Sequence, residues 1–475
     1  MAKKKSTASG PAKTKSVKPL NPDKLRWYCP TSKFKFTKTT NELEPLDKIV
    51  GQPRALEAIR LGAELFSKGY NIFVSGLSGT GRLTTVKQIL EEVSTHKPEL
   101  FDYMYVNNFD NPDKPCLIKL KKGLGRKFSR AMDDAIEFLR RQLSRLFEDE
   151  AYQKKRQKII EKYQDKEQQL LQEFDEKIKP DGFVRGQIEA DSGATQPEVF
   201  PLVDDEAVPV ESLEEKIEED KISEEEAEKL REKYKKYHRE LYDVARKTMK
   251  IMQEFREALS ENEKANAEIE VDSVLNDVKE KFSNERIDIY IERVKKDILE
   301  NLDIFAPQQQ QQQGVLQLAG GGKEQNIEDK LKVYKVNVIL DNSETEKAPV
   351  ITETTPSYSN LFGTIEREFD PRRGFAGSDF TKIKSGSLLQ ADQGYLIVNA
   401  LDLFTEPGVW NPLKRVLLYH KLEIQPWNAY FSMVQSHIKP EPIEVNVKVI
   451  IIGGQSLYKY LYNYEKGLKK IFKVN

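Results

Sequence analysis

A glycine-rich segment, residues 71–90, has the residue types and spacing of a phosphate-binding loop. Its sequence is NIFVSGLSGTGRLTTVKQIL. In the pattern GxxxxGK[ST], backbone N–H groups wrap the phosphates of a nucleotide, the Lys reaches the β- and γ-phosphates, and the Ser or Thr hydroxyl ligates Mg²⁺. Gly76 and Gly81 stand at the required spacing, with Gly79 and Thr80 between them. The spacing predicts a loop that can hold phosphate.

The two residues that should carry the chemistry of this loop differ from the pattern. Arg82 stands where Lys is required, and Leu83 stands where the hydroxyl is required, with Thr84 and Thr85 one and two positions late. Arg keeps the positive charge but is larger and forked, so it does not replace Lys at a geometrically defined site. Leu cannot ligate Mg²⁺. Either the loop binds phosphate with impaired catalysis, or it is a glycine turn that packs a strand on a helix.

The residues on either side of the loop predict the elements that position it. Residues 72–74 are an apolar run that predicts a strand, and residues 86–90 predict a helix whose N-terminus favours an anion. Residues 102–109 predict a second strand. The alternation of strands and helices predicts a parallel sheet with crossover helices. Strand patterns return late in the chain, so we expect them to complete the same sheet.

The middle of the chain has the pattern of a coiled coil. An apolar stripe recurs at alternating three- and four-residue steps for about four heptads, the length at which a coiled coil is favoured over other helices. Its members are Ala227, Leu230, Tyr234, Tyr237, Leu241, Val244, Thr248, Ile251, Phe255 and Ala258, and an earlier arm has Met132, Ile136, Leu139, Leu143 and Leu146 at the same spacing. An ordinary two-helix packing stripe has the same pattern. Between the arms, alternating residues around Asp191-Ser192-Gly193 predict a β-hairpin.

The composition argues against several classes of protein. The chain has 475 residues, 32% of them charged, and a net charge of −1, so it has no global attraction to nucleic acid or membranes. Cys29 and Cys116 are its only cysteines, which argues against a disulfide framework and for a reducing compartment. The four histidines lack metal-ligand spacing, and no apolar stretch is long enough to span a bilayer. We expect a cytoplasmic protein without a metal site.

Several longer motifs follow one another in a fixed order along the chain. They are YCPTSKFKFTKTTNELEPLDKIVGQPRALEAIRLG, GLSGTGR, YVNNFDNPDKP, VYKVNVILDN with KAPVITETTPSYSNLFGTIERE, and GSLLQADQGYLIVNALDLFTEPGVWNPLKRVL. Together these motifs resemble the Lon-related ATP-dependent protease family, and the resemblance extends over nearly the whole chain from Leu25 onward. It implies an AAA+ ATPase module that assembles as a homo-oligomeric ring, acts on protein substrates, and delivers polypeptide to a serine-lysine protease.

The resemblance assigns roles to further residues. Val50 and Gly51 match the position where an adenine ring rests, and Gln455 is the candidate sensor of the γ-phosphate. Asn399 and Ala400 occupy the places of the Asp that orients Mg²⁺ and the Glu that activates water. No Arg follows Arg415, so Lys469 or Lys470 would have to replace the arginine finger.

The predicted fold class is α/β, an AAA+-like P-loop NTPase core with a parallel sheet, interrupted by a long antiparallel coiled-coil insertion with a β-hairpin tip. We expect five segments: a disordered Lys-rich tail at 1–24, an N-terminal segment and the first half of the core at 25–127, the coiled coil at 128–305 with its hairpin near 182–204, a Gln/Gly-rich loop at 306–328, and the second half of the core at 329–475, which ends before the lid.

Two functions follow from these expectations. The first is the ATPase-like, polypeptide-handling portion of a Lon-related protease. The second is a non-catalytic, ring-forming scaffold or adaptor that binds polypeptide through its coiled coil. We expect weak or absent ATP hydrolysis, with ATP as the candidate cofactor and impaired Mg-ATP binding. No catalytic residue is assigned, and no peptidase activity is expected, because the Ser-Lys dyad has no counterpart. The protease would be a downstream domain or a separate chain. Nucleic acid is a disfavoured partner, because the Lys-rich tail lacks interleaved aromatic residues.

Overall fold

The computed structural model describes residues 18–34, 39, 41, 51–93, 98–189, 195–203, 206–218, 222–306, 327–370, 375–426 and 438–474. The chain divides into two units, Met1–Arg54 and Ala55–Asn475. In the first unit, the short 3-10 helices Pro22–Lys24 and Thr31–Lys33 bury no side chain. Most of the predicted tail, the centre of the predicted hairpin turn and nearly all of the predicted Gln/Gly-rich loop lie outside the described residues.

The described elements alternate between short strands and helices of very different lengths. The α-helices are α1 (Pro53–Glu64), α2 (Arg82–Val93), α3 (Gly125–Glu148), α4 (Glu150–Ile178), α5 (Leu213–Glu218), α6 (Glu224–Lys281), α7 (Glu285–Glu300), α8 (Ile327–Leu331), α9 (Tyr358–Phe362), α10 (Ser387–Gln390), α11 (Ala400–Thr405), α12 (Trp410–Tyr419), α13 (Gln455–Tyr464) and α14 (Leu468–Ile471). The strands are β1 (Ile72–Ser75), β2 (Phe101–Val106), β3 (Cys116–Lys121), β4 (Phe183–Glu189), β5 (Thr195–Val203), β6 (Glu206–Ala207), β7 (Val336–Leu340), β8 (Val350–Glu353), β9 (Thr364–Ile365), β10 (Glu368–Asp370), β11 (Phe375–Gly377), β12 (Ile383–Lys384), β13 (Tyr395–Asn399), β14 (Lys421–Leu422), β15 (Ile443–Glu444) and β16 (Lys448–Gly453).

The central sheet is parallel and is built from both ends of the chain. Its order is β1-β16-β13-β8, and each neighbouring pair is parallel. β13 and β16 are runs of Leu, Ile and Val that are buried on both faces, as expected for strands of a covered parallel sheet. The predicted α/β class with a parallel sheet is confirmed, and the strand before the long helices joins strands that follow them.

A second sheet corrects the expected position of residues 102–109. β2 lies between β3 and β7, and both pairings are antiparallel. It is therefore not the second strand of the parallel sheet. The physical reason is the short connection from β2 to β3: a loop of this length joins antiparallel neighbours, whereas a parallel neighbour needs a crossover of a dozen or more residues.

α3, α7 and the last part of α6 pack against this second sheet. Their shared core contains Met104 and Val106 of β2 and Met132, Leu139 and Leu143 of α3. It also contains a run of α6 residues at helical spacing, namely Ala267, Val271, Leu275 and Val278. The earlier arm of the predicted stripe is thus partly a packing face for the sheet.

α4 and α6 pair side by side in opposite directions. Tyr152 contacts Glu263 at the start of α4, with 3.2 Å between hydroxyl and carboxylate oxygens, and Lys177 lies 2.8 Å from Glu240 near its end. Between these points, the Tyr163 and Phe255 rings are 5.7 Å apart. The predicted stripe of α6 is buried or half-buried along its whole length. That the pair is a coiled coil in the strict sense stays a prediction.

β4 and β5 form an antiparallel pair at the far end of α4 and α6. Phe183 of β4 and Val199 of β5 enter a small core with Phe174, Tyr237 and Leu241. The sheet order is β4-β5-β6, and β6 pairs with only the last two residues of β5. Residues 190–194, which include the predicted Asp191-Ser192-Gly193 turn, lie outside the described residues.

Candidate phosphate-binding site

The glycine loop connects the end of β1 to the start of α2. Gly79 and Gly81 have φ angles of 80° and 71°, a region that favours glycine, and a Cβ at either position would meet no atom within 4 Å. Thr80 donates its hydroxyl to the Leu77 carbonyl over 2.9 Å, which closes the loop on itself. The loop therefore has the backbone freedom of a phosphate cradle and leaves space beside it.

Arg82 does not extend freely from this loop. Its guanidinium donates a hydrogen bond to the carbonyl oxygen of Gly453, the last residue of β16. The N–H of Gly76 points at the same oxygen from 3.3 Å. The Arg82 side chain runs close to Gly76, where an added Cβ would meet its Cδ at 3.3 Å. The carbonyl oxygen at the end of β16 thus binds the guanidinium that would be expected to contact a γ-phosphate.

The residue at the position that should ligate Mg²⁺ has no side-chain oxygen. Leu83 is exposed, and the exposed Thr84 follows it. Both line an open surface groove of about 430 Å³ that Lys87, Gln88 and Glu91 complete. Because the hydroxyls at the start of α2, those of Thr84 and Thr85, come one and two residues late, the site lacks a metal ligand at the expected place.

Asn399 and Ala400 lie at the carboxyl end of β13. Asn399 pairs with Ile452 of β16, one residue before Gly453. Its side-chain oxygen accepts the Leu401 N–H over 2.8 Å and so caps α11. Ala400 is fully buried, and a Cβ added to Gly453 would lie 2.7 Å from the Ala400 Cβ. The place of a water-activating Glu is therefore a packing contact between the start of α11 and the end of β16.

The remaining predicted residues are only partly brought to this edge. Gln455 is exposed and begins α13, directly after the end of β16. Lys469 lies over the Tyr462 ring, 4.1 Å from its centroid. Gly51 belongs to the other unit of the chain and has a φ of 87°. Val50 lies outside the described residues, so the proposed adenine position stays a prediction.

Two groups at the same edge were missed from sequence. Gly453 contributes a carbonyl oxygen, which no motif marks. Glu353 ends β8 in register with Val398, and its carboxylate accepts the Thr355 N–H over 2.9 Å and the Ser387 hydroxyl. In the sequence, the Glu that ends the apolar run VITE could have indicated an acidic group at this strand end. Because these hydrogen bonds hold Glu353, it is a structural acid of the strand end.

A buried lysine lies at the opposite edge of the sheet, at the start of β16. Lys448 donates to the carbonyl oxygens of Gly62 and Leu65, at the end of α1, and lies 5.0 Å from the centroid of the Phe66 ring. Burial lowers the pKa of Lys448 to about 8. This contact fixes α1 to the strand whose other end binds Arg82.

A glycine loop between β1 and α2, and strand ends of a parallel sheet beside it, define the class of P-loop α/β proteins. Residues 346–475 match the family described as the LonB-like AAA domain, and residues 102–135 match the Lon-like LonC helical domain. The predicted relation of this chain to the Lon-related family is confirmed by these matches. The AAA-type match supports nucleotide binding as the general role of the core.

Other comparisons add little. No curated protein matches the chain. A crystal structure of NtrX from Brucella abortus is similar at 17% identity over 27% of this chain and 25% of that chain, with a TM-score of 0.17. Among the helices of the described residues, none is both long and apolar enough to cross a bilayer.

Proposed function

We propose that the chain is the ATPase-type, polypeptide-handling portion of a Lon-related protease, and that its nucleotide site does not turn over ATP. In this proposal the chain acts in the cytoplasm, forms a homo-oligomeric ring and delivers protein substrates to a serine-lysine protease. That protease is either a downstream domain or a separate chain. The matches to LonB-like and LonC-like families support the general role.

The hydrogen bond between Arg82 and Gly453 is the observation that carries the proposed loss of catalysis. Phosphoryl transfer depends on positive charges and metal ions that stabilise the charge of the transition state. Here the guanidinium is held by a strand end, Leu83 offers no metal ligand, and the Glu place is the buried Ala400. We therefore expect these three positions neither to activate water nor to position the metal.

Calorimetry and an ATPase assay test this proposal on the whole chain. The wild-type protein and the Arg82→Ala variant are titrated with ATP and Mg²⁺, and phosphate release is followed in parallel. We expect a turnover number far below the typical range near about 1 s⁻¹. A turnover number for ATP near that value, abolished by Arg82→Ala, would overturn the proposal.

The affinity for ATP measured by calorimetry decides whether ATP has a role in the mechanism. Micromolar binding that is lost in Arg82→Ala supports a nucleotide switch without hydrolysis. No binding by either protein supports a glycine loop that acts only as a structural turn. In both cases the handling of polypeptide is assigned to the long helices and the hairpin.

The second candidate function is the nucleotide-independent adaptor. Tyr242, Met249 and Met252 lie on one side of α6, at 64%, 74% and 46% exposure. Exposed Met and aromatic residues favour binding to varied polypeptides. Equal affinity for an unfolded protein, fluorescein-labelled carboxymethylated α-lactalbumin, with and without ATP supports the adaptor. An affinity that changes with ATP supports the first function.

A further inference from the structure

One edge of the β4–β5 pair has free backbone groups. The Leu202 N–H donates to the Gly182 carbonyl over 2.7 Å, just before β4 begins. In an antiparallel ladder, bonded pairs alternate with non-bonded pairs. Val184, Gly186 and Ile188 are therefore the residues that bond to β5, and the backbone groups of Phe183, Arg185 and Gln187 point away from it.

The prolines of β5 agree with this assignment. Pro201 pairs with Phe183, and Pro197 pairs with Gln187. Proline has no N–H, so it fits a ladder only where that N–H would point outward. The outer edge of β5 thus lacks donors at these positions, whereas the outer edge of β4 has no proline.

Within the described part of the chain, no second strand pairs with the β4 edge. β4 has β5 as its single strand partner there, and the N–H groups of Arg185 and Gln187 have no backbone acceptor. Phe183 is buried, and the Arg185 side chain bonds to Asp175 of α4, so the accessible part of the edge begins after Phe183. Native proteins usually protect such an edge with Lys, Pro or a covering element. Val184 and Ile188 are instead apolar and 38% and 42% exposed on one face of the strand.

We propose that the β4 edge, residues 184–188, binds an extended segment of a substrate polypeptide as an added strand. This inference rests on the proposed polypeptide-handling function and names its docking surface. Backbone hydrogen bonds supply affinity that does not depend on the substrate's sequence, while Val184 and Ile188 favour apolar side chains at alternate positions. Such recognition suits unfolded chains, because a folded protein has few extended segments free to pair.

Gln187→Pro tests the edge, with Gln187→Ala as its matched control. Both variants remove the exposed Gln187 side chain, but only proline removes the outward N–H, and neither breaks a bond between β4 and β5. The probe is a fluorescein-labelled nine-residue peptide of alternating Val and Thr with lysines at both ends. Its affinity for the full chain is measured by anisotropy. Since one hydrogen bond is lost and the ring obstructs the incoming strand, we expect about tenfold weaker binding for Gln187→Pro. Gln187→Ala should bind like wild type.

Two further measurements keep the test independent of folding. The same peptide, N-methylated at every second amide, should bind the wild-type chain at least about tenfold more weakly, because it cannot form a strand ladder. Ile188→Lys, which leaves the backbone unchanged, should also weaken binding of the unmodified peptide, because it replaces an apolar contact with a charge.

The outcomes separate the docking surface from the broader function. If the wild-type chain binds unfolded α-lactalbumin but Gln187→Pro and Gln187→Ala bind the peptide equally, the edge proposal is overturned and polypeptide handling stands. If the wild-type chain binds neither probe, both are overturned. If Gln187→Pro instead lowers the molecular mass in light scattering without changing peptide affinity, the occupant is a second copy, and the edge proposal is overturned.

Discussion

The guanidinium of Arg82 donates to the carbonyl oxygen of Gly453, so the first residue of α2 is tied to the end of a strand 371 residues later in the chain. This contact joins the glycine loop to the strand that precedes Gln455. Any anion that enters the loop must compete with that carbonyl for the guanidinium. We therefore expect this bond to lower the affinity of the loop for phosphate.

A double substitution, Arg82→Lys with Leu83→Thr, should restore binding of Mg-ATP. Lysine gives a compact charge, and threonine supplies the missing metal ligand. We expect affinity at least about tenfold above wild type by calorimetry. ATP hydrolysis should stay undetectable, because Asn399 and Ala400 are unchanged. Fast hydrolysis by the double variant would contradict the assignment of the β13 end as inactive.

Ala400→Glu should not recover hydrolysis and should destabilise the protein. Ala400 is fully buried beside Gly453, so a carboxylate there loses water and gains no partner. The expected loss in unfolding free energy is about 3 kcal/mol or more in urea titration. Asn399→Asp is the matched control, since Asp caps a helix as well as Asn does and should change stability by at most about 0.5 kcal/mol. Equal effects of both changes would refute the packing argument.

Lys448 should make stability depend on alkaline pH. Its pKa is lowered from 10.5 to about 8 by burial, so between these values the unfolded state holds a proton that the folded state lacks. Stability then rises with pH across this window, by at most about 1.4 kcal/mol per unit, and is lost again as the pH falls back toward 8. Relative to Lys448→Met, the wild-type unfolding free energy should increase from pH 8 to pH 10. Parallel curves for the two proteins would mean that Lys448 stays protonated in the fold.

Leu241→Ala should loosen the hairpin end of the long helices while sparing the parallel sheet. Leu241 is 4% exposed in the core shared by α4, α6, β4 and β5. A cavity there costs about 2–4 kcal/mol. Hydrogen exchange should speed up in α4 and β4 and stay unchanged in β1 and β16. The neighbouring Tyr242→Ala, at an exposed position, should have little effect, within about 0.5 kcal/mol. Uniformly faster exchange throughout would argue that the core is not a separate unit of stability.

Local sequence patterns predicted the helices and strands better than they predicted which of these elements contact one another. The spacing of Gly76 and Gly81 was enough for the loop, and the heptad steps were enough for the buried side of α6. The prediction that residues 102–109 join the parallel sheet was wrong, because an apolar run predicts a strand but not which strands it pairs with. The hydrogen bond between Arg82 and the Gly453 carbonyl could not be predicted for the same reason. Every residue has a backbone carbonyl, so residue type does not mark the acceptor, and the two residues are far apart in the sequence.

α6 is one helix of 58 residues, about 87 Å long at the usual rise. Its first half belongs to the core at the hairpin, and its second half belongs to the core beneath β2. We expect a rod of this kind to act as a lever, with the β2 core as its fulcrum. In the proposed function, a pull on a polypeptide bound at the hairpin end would be transmitted along α6, as torque, to the base of the α/β core.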